Sequence, residues 1–313
     1  MLNSKKCAVI GCGLVGSTSA FALMGSGLFS EIVMLDINRN RAQGEAMDLN
    51  HGMPFAQPVD IHAGDYTDVA GAALVVIAAG VAQKPGETRL DLAQKNIAVF
   101  REIIGEIVKI NTDCVLLIVT NPVDVLTYAA WKFSGFPAQR VLGSGTVLDT
   151  ARLKYLLGEH YDIDPRNVHA MVVGEHGDTE LPLWSTANVG GLPLDVWCAA
   201  CGRGAQQEEL DHIFEDVRTS AYRIIEGKGA TYYAVAMAVL RIAKAVVRGE
   251  NAVLTVSSLL QGQYGQRDVC LGLPAIVGRG GVQRLLDVPL TAQEQAKLQA
   301  SADAVRAVIM GRL

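Results

Sequence analysis

The sequence predicts an α/β protein with a doubly wound parallel sheet, followed by a mixed α+β region. Three observations support this prediction. Short apolar runs alternate with amphipathic stretches early in the chain, a glycine-rich motif joins the first run to the first stretch, and longer helical stretches dominate after about residue 145. Alternation of strands and helices is typical of parallel sheets with right-handed crossovers.

Short apolar runs predict the strands of the first half of the chain, and amphipathic stretches predict its helices. The predicted strands are 7–10, 31–35, 59–62, 74–78, 115–119 and 140–143. The predicted helices are 14–28, 39–50, 91–111, 123–133 and 148–159. Because ligands of such sheets bind at the carboxyl ends of the strands, we expect the functional residues there.

The pattern changes beyond about residue 145, where long helical stretches alternate with isolated strands. The predicted strands are 168–173, 252–260 and 269–277, and the predicted helices are 208–226, 231–248 and 291–311. No low-complexity linker separates the two parts. We therefore predict a doubly wound domain at 1–144 and a mixed α+β substrate domain at 145–313.

The segment GCGLVG at residues 11–16 follows the first predicted strand and begins the first predicted helix. This is the G-x-G-x-x-G pattern in the context that a dinucleotide-binding Rossmann domain requires. Gly11 allows a tight turn, Gly13 lets the backbone approach a pyrophosphate, and Gly16 lets the helix pack close to the sheet. We expect these glycines and Val15 to bind the cofactor.

Asp36 ends the second predicted strand, 20 residues after the last glycine of the motif. An acidic residue at this place hydrogen-bonds the hydroxyls of the adenosine ribose. A carboxylate there would also repel a 2′-phosphate. The sequence therefore predicts NAD rather than NADP as the cofactor.

His176 lies between two glycines in the segment GEHGD at residues 174–178, and Asp149 and Arg152 lie upstream. A neutral imidazole titrates near pH 7, so it can give or take a proton under cellular conditions. A carboxylate bonded to its far nitrogen would fix the tautomer, and an arginine suits a two-pronged pair with a substrate carboxylate. Together these groups indicate a reaction on a small α-keto or α-hydroxy acid.

Two loops are further candidates for the site. Residues 79–89 contain glycines and a proline and suit a loop that closes over a ligand, with Arg89 near its end. An ordinary strand-to-helix connection is the alternative. Asn121 precedes Pro122, which restricts Asn121 to an extended backbone and aims its amide toward the carboxyl edge of the sheet.

The composition is typical of a soluble α/β enzyme. The 313 residues suffice for two lobes, half of them are apolar, and no apolar run is long enough to span a membrane. The N-terminus has no signal-peptide pattern, so we expect a cytoplasmic protein. A net charge of -5 without a basic patch argues against nucleic acid as a partner.

The chain has six cysteines, which we expect to be reduced. They are Cys7, Cys12, Cys114, Cys198, Cys201 and Cys270. The C-x-x-C spacing of Cys198 and Cys201 lacks a second pair of Cys or His ligands nearby, so we expect no zinc site. The pair also does not follow the strand of a thioredoxin-like unit, which argues against a redox role.

The chain resembles the bacterial L-lactate dehydrogenases of the lactate/malate dehydrogenase family along nearly its whole length. The matching segments are GCGLVG with Asp36, QKPGETRLDL, TNPVDVLTY, GSGTVLDTAR, GEHGDTELP and GKGATYY. The resemblance implies reversible reduction of pyruvate to L-lactate by NADH, in fermentation or glycolytic NAD regeneration. It also implies a homotetramer.

The resemblance assigns roles to the matching polar residues. His176 would be the acid/base and Asp149 its orienting partner. Arg152 would bind the substrate carboxylate, and Arg89 would polarise the carbonyl in the transition state.

Three further positions would complete the substrate pocket. Asn121 would bond the reacting oxygen and contact the cofactor, and Thr231 would line the pocket. Gln83 stands where malate dehydrogenases of the same pattern usually have an arginine for the second carboxylate of oxaloacetate. A neutral amide does not offset the desolvation of that charge, so pyruvate is favoured. Malate dehydrogenase activity and a non-catalytic NAD-binding protein are the alternatives.

The same resemblance raises the question of activation by fructose 1,6-bisphosphate. In many bacterial lactate dehydrogenases an arginine and a histidine bind this effector between subunits. His169 matches the histidine, whereas Lys154 stands at the arginine position. Lysine keeps the charge without the planar fork, so a phosphate could bind less specifically. The alternative is that both residues are structural or solvated.

Overall fold

A computed structural model describes residues 3–81, 89–202 and 207–312. Within these residues, the first half of the chain forms a parallel sheet. Its strands are β1 (Asn3–Ile10), β2 (Glu31–Leu35), β3 (Asp60–Ala63), β4 (Ala72–Ile77), β5 (Val115–Ile118) and β6 (Val141–Gly143). They lie in the order β3-β2-β1-β4-β5-β6, and neighbouring strands pair in parallel. The order reverses beside β1, as in Rossmann domains.

Helices cover both faces of this sheet. They are α1 (Leu14–Gly25), α2 (Arg39–His51), α3 (Arg89–Ile110), α4 (Val123–Ser134) and α5 (Val147–Tyr161). Alternate residues of each strand point to opposite faces. Ala8 and Ile10 of β1 therefore belong to the core under α3 and α4, and Cys7 and Val9 belong to the core under α1 and α2. The predicted fold class is confirmed.

The second half adds shorter strands and further helices. The strands are β7 (Val168–His169), β8 (Val172–Val173), β9 (Leu181–Pro182), β10 (Asn188–Val189), β11 (Leu192–Pro193), β12 (Ala252–Gln261), β13 (Arg267–Gly278) and β14 (Gly281–Leu285). The helices are α6 (Leu194–Cys201), α7 (Gln207–Lys228), α8 (Tyr233–Arg248) and α9 (Ala292–Ile309). None of the helices that the structure describes is long and apolar enough to cross a membrane.

The sheet continues from the first half of the chain into the second. β12 pairs with β6 in the antiparallel sense through Ser257 and Gly143, and β13 and β14 extend the sheet further. The backbone N–H of Thr146 also donates to the carbonyl of Thr255 at 3.0 Å. The chain segments on either side of residue 145 are therefore joined by a shared sheet.

The predicted strand at 168–173 is wrong in one respect, because it is two short strands in different sheets. β7 pairs with β10, whereas β8 pairs with β9. An apolar run gives no local signal that its pairing partner changes midway. The predicted helix at 231–248 begins at Tyr233 instead, which leaves Thr231 in the connection after α7.

Candidate active site

The glycine-rich turn joins β1 to α1 and leaves space at the N-terminus of that helix. Gly11 has φ +96°, and a Cβ there would lie 2.4 Å from the backbone nitrogen of Ala79. A Cβ on Gly16 would lie 1.7 Å from the carbonyl oxygen of Gly11. At Gly13, which caps α1 without a side-chain bond, a Cβ would meet no described atom within 4 Å. The turn therefore fits a pyrophosphate, which helix N–H groups can bind at close range.

Asp36 lies at the carboxyl end of β2, directly beside this turn. Its Oδ2 accepts a hydrogen bond from the backbone N–H of Cys12 at 2.7 Å, and its Oδ1 accepts one from Asn38 at 2.8 Å. A carboxylate has about four acceptor sites, so two remain for ribose hydroxyls. Val15 is half-buried in the first turn of α1 and packs against the core of that face.

His176, Asp149 and Arg152 meet at one point between α5 and the loop after β8. Oδ2 of Asp149 lies 2.6 Å from Nδ1 of His176, and Oδ1 of Asp149 accepts from Nη1 of Arg152 at 2.8 Å. The side chain of Asp149 is 2% exposed, compared with 24% for His176 and 12% for Arg152. A buried carboxylate thus links the two basic groups that the sequence singled out.

The pKa values of this pair follow from burial and from the short contact. Burial lowers the pKa of His176, but the charge of Asp149 and the hydrogen bond to it outweigh burial and raise it to about 9. For Asp149, burial raises the pKa, and the charges of His176 and Arg152 more than compensate, so its pKa lies below the usual value. The imidazole is therefore protonated near pH 7 and faces an ionised carboxylate.

Asp124 and Ser257 support the His176 loop through hydrogen bonds, and neither residue was predicted from the sequence to have a role. Oδ2 of Asp124 accepts from the backbone N–H of His176 at 2.8 Å, and Oδ1 accepts from Oγ of Ser257 at 2.5 Å. Burial raises the pKa of Asp124 to about 7, although both hydrogen bonds oppose that rise. Polar residues inside apolar segments were the available signal, because buried polar groups need partners.

The backbone of the same loop is fixed by strand β13. Gly174 and Gly272 exchange two backbone hydrogen bonds, each of 2.8 Å, as an isolated antiparallel bridge. Helix α7 approaches the loop from another side, where the hydroxyl of Tyr222 donates to Asp178 at 3.1 Å. Thr231 is half-buried in the connection after this helix.

Asn121 lies in the connection between β5 and α4, at the carboxyl edge of the sheet. Its side chain is exposed, and its carbonyl oxygen accepts from Nδ2 of Asn96 at 3.0 Å. The peptide bond between Asn121 and Pro122 is cis. The predicted position at the carboxyl edge therefore agrees with the structure, whereas the role of its amide stays a prediction.

Gln83 lies outside the described residues, and so does most of the predicted closing loop. Arg89 is the first residue of α3, but its side chain is also outside the description. The roles proposed for both residues remain predictions.

Lys154 and His169 lie on neighbouring elements, α5 and β7. Lys154 is half-buried, and burial lowers its pKa. His169 is exposed, and its backbone pairs with Asn188 of β10. No contact between the two side chains is recorded among the described residues, so an effector site here stays a prediction.

Cys198 and Cys201 lie on α6, a helix that was not predicted from the sequence. Both are half-buried free thiols, and Sγ of Cys198 lies 3.1 Å from the hydroxyl of Tyr161 at the end of α5. The remaining four cysteines are buried free thiols.

Comparison with known proteins identifies the family. The signature of the lactate/malate dehydrogenase NAD binding domain matches residues 5–143, and that of the alpha/beta C-terminal domain matches residues 146–311. The chain belongs to the lactate/malate dehydrogenase family. Its glycine turn and Asp36 lie within the NAD binding domain, and His176, Asp149 and Arg152 lie within the C-terminal domain.

Relatives and solved structures within the family are similar over nearly the whole chain. The L-lactate dehydrogenase of Acetivibrio thermocellus is 57% identical over 305 residues, which are 97% of this chain and 96% of that one. The L-lactate dehydrogenase of Geobacillus thermodenitrificans is 53% identical over 308 residues, 98% of this chain and 97% of that one. The crystal structure of the minor L-lactate dehydrogenase of Enterococcus mundtii has a TM-score of 0.95 at 39% identity and 99% coverage of both chains.

Proposed function

We propose that this protein is an L-lactate dehydrogenase, which reversibly reduces pyruvate to L-lactate with NADH. The observation that carries this proposal is the buried Asp149 carboxylate, which contacts both His176 and Arg152. A proton donor and a carboxylate-binding group are thereby held side by side. The relatives named L-lactate dehydrogenase, at 52–57% identity over nearly the full chain, support the same reaction.

The residues that would hold NAD are those of the first domain. Gly11, Gly13, Val15 and Gly16 would receive the pyrophosphate at the start of α1, and Asp36 would bind the ribose hydroxyls. When bound, NADH supplies the hydride that reduces C2 of the keto acid. Asn121 would contact both the cofactor and the reacting oxygen.

Arg152 would bind the carboxylate of pyruvate. One of its N–H groups donates to Asp149, and the guanidinium has five in all, so donors remain for a two-pronged pair. The pairing with Asp149 also fixes the direction of the guanidinium, which reduces the entropy lost when the substrate binds. Thr231 would also line the pocket.

His176 would donate its proton to the carbonyl oxygen of pyruvate and recover it from the hydroxyl of lactate. The contact with Asp149 occupies Nδ1, so Nε2 is the nitrogen that faces the substrate. A pKa of about 9 supplies a protonated imidazole at neutral pH. Arg89 would stabilise the charge that builds on the oxygen during the reaction.

Gln83 would set the choice between keto acids. Without an arginine at this position, the second carboxylate of oxaloacetate would be desolvated with no counter-charge there. Malate dehydrogenase activity is therefore not favoured, in agreement with the names of the relatives. The intact set of His176, Asp149 and Arg152 argues against a non-catalytic NAD-binding protein.

The proposal extends to assembly and regulation. We expect a cytoplasmic homotetramer, for which exposed apolar side chains such as Phe21 of α1 and Met237 of α8 offer contact surface. Lys154 and His169 would bind fructose 1,6-bisphosphate at a subunit interface.

A steady-state assay tests the proposed reaction. NADH oxidation would be followed with pyruvate and with oxaloacetate, each with and without the bisphosphate. We expect kcat/KM to favour pyruvate by orders of magnitude. Preference for oxaloacetate, or no turnover of either acid, would reject the proposal, and superimposable pyruvate curves would reject the effector site alone.

A further inference from the structure

Glu180 lies in the buried cluster that contains His176 and Asp149. Only 7% of the surface of Glu180 is exposed to solvent. A ring nitrogen of His176 and one carboxylate oxygen each of Asp149 and Glu180 all lie within 4.8 Å of one another. The backbone N–H of Glu180 donates to the carbonyl of Gly177 at 3.3 Å, which closes a turn in the segment after His176.

Two carboxyl groups at this distance, shielded from water, do not both ionise, because their like charges repel. Asp149 has Arg152 and His176 as ion-pair partners, so it keeps the negative charge. Glu180 forms no ion pair among the side chains that the structure describes. Burial, followed by the charge of Asp149, raises the pKa of Glu180 well above its ordinary value, although the charges of His176 and Arg152 oppose that rise.

We propose that Glu180 is a positioning residue that, as a neutral carboxylic acid, donates its O–H to Asp149 and steadies that carboxylate between His176 and Arg152. Each oxygen of Asp149 accepts one N–H bond, and each has a second lone pair in a region that is almost closed to water. A neutral donor satisfies a lone pair without adding charge. This role rests on the function proposed above.

A hydrogen bond from Glu180 would make Asp149 a weaker base and would limit how far Asp149 raises the pKa of His176. Such a limit suits a reversible reaction, in which the imidazole must release its proton as well as hold it. Other charged groups also act on this centre. From the described elements packed around it, those that act on His176 or Glu180 are Asp149 and Arg152 of α5 and Asp124 of α4. Glu175 of the same loop acts on Asp124 instead.

Two substitutions of similar size distinguish the effect of the hydrogen-bond donor at position 180 from the effect of a charge there. Glu180→Gln keeps a neutral donor, whereas Glu180→Leu removes the donor. The measurement is the pH dependence of kcat/KM for pyruvate reduction, together with that for lactate oxidation. We expect the midpoint assigned to His176 to stay in place in Glu180→Gln and to rise by about one pH unit in Glu180→Leu. A purely structural role would lower rates without moving the midpoint.

Glu294→Gln is the matched control, because Glu294 is also buried but bonds Ser185 and Thr291 at the start of α9. It should leave the midpoint unchanged. A lower midpoint in both Glu180 variants would mean that Glu180 is ionised, and no shift in Glu180→Leu would mean that its donor is irrelevant. Either result overturns the proposal.

Infrared spectroscopy tests whether Glu180 carries a proton, and it does so without relying on turnover. At pH 7 the difference spectrum between the native chain and Glu180→Gln should contain the carbonyl band of a protonated carboxylic acid, shifted by deuteration. Its absence would overturn the proposal. If the native chain does not turn over pyruvate, the proposed function fails, but this band still reports whether Glu180 carries the proton.

Discussion

Replacing Asp149 by Asn removes the charge that raises the pKa of His176 while keeping the size of the side chain. The native pKa of His176 is about 9, compared with the ordinary value of 6.5. This rise corresponds to about 3 kcal/mol in favour of the imidazolium. Without the charge, burial, which is the largest influence on the ring, lowers its pKa against the smaller effects of Glu180 and Asp124. In Asp149→Asn we therefore expect a pKa of about 6.5 or below.

The assay is the pH profile of kcat/KM for pyruvate reduction, which requires the protonated imidazole. At pH 8 the protonated fraction would fall from about nine-tenths to about three-hundredths, an approximately thirtyfold loss. Misorientation of the ring would lower the plateau further, so the midpoint and not the rate is diagnostic. A midpoint that stays near its native position in Asp149→Asn would refute the reasoning.

Asp113→Asn is the control for this experiment. Asp113 is an exposed carboxylate that pairs with Arg140 at 3.0 Å. It precedes β5 and therefore lies at the amino edge of the sheet, away from the carboxyl edge where the site is built. Its replacement should leave both the midpoint and the plateau of the profile unchanged.

Three further outcomes are expected. His176→Ala should abolish turnover while NADH still binds by fluorescence titration; near-normal activity would reject its acid/base role. Gln83→Arg should shift the ratio of kcat/KM toward oxaloacetate, and an unchanged ratio would reject the specificity argument. Ser257→Ala removes a hydrogen bond to Asp124 and should lower the unfolding free energy by about 1–3 kcal/mol in denaturant titrations. Ser258→Ala removes a neighbouring buried hydroxyl that has no described partner, so an equal loss there would contradict this assignment.

The first half of the fold could be predicted from sequence because its signals are local. The apolar runs, the glycine turn and Asp36 each depend on neighbours within about 20 residues, and β1, α1 and β2 follow in that order. The short strands β9, β10 and β11 could not be predicted, because each has two residues and shows no periodicity. Their existence depends on pairing with partners that local sequence does not identify.

The residues of the candidate site also fall into two groups, those that could be predicted from the sequence and those that could not. His176, Asp149 and Arg152 could be selected because their residue types suit the chemistry, and the structure brings them together. Asp124 and Glu180 were missed, since a carboxylate in sequence gives no sign of whether it is buried. Only the fold shows that Asp124 meets the backbone of His176 and that Glu180 lies beside Asp149.

The position of His176 depends on contacts between segments far apart in the chain. Gly272 holds the backbone of Gly174, and Asp124 holds the N–H of His176 while accepting from Ser257, 133 residues away. Three elements thus converge on one loop: α4 from the first half, and β12 and β13 from the second. A displacement of the second half relative to the first would move the imidazole relative to the glycine turn. The pairing of β12 with β6 opposes such a displacement, because it joins the two halves in one sheet. The shared sheet therefore holds His176, the proposed proton donor, at a fixed distance from the glycine turn proposed to bind the dinucleotide.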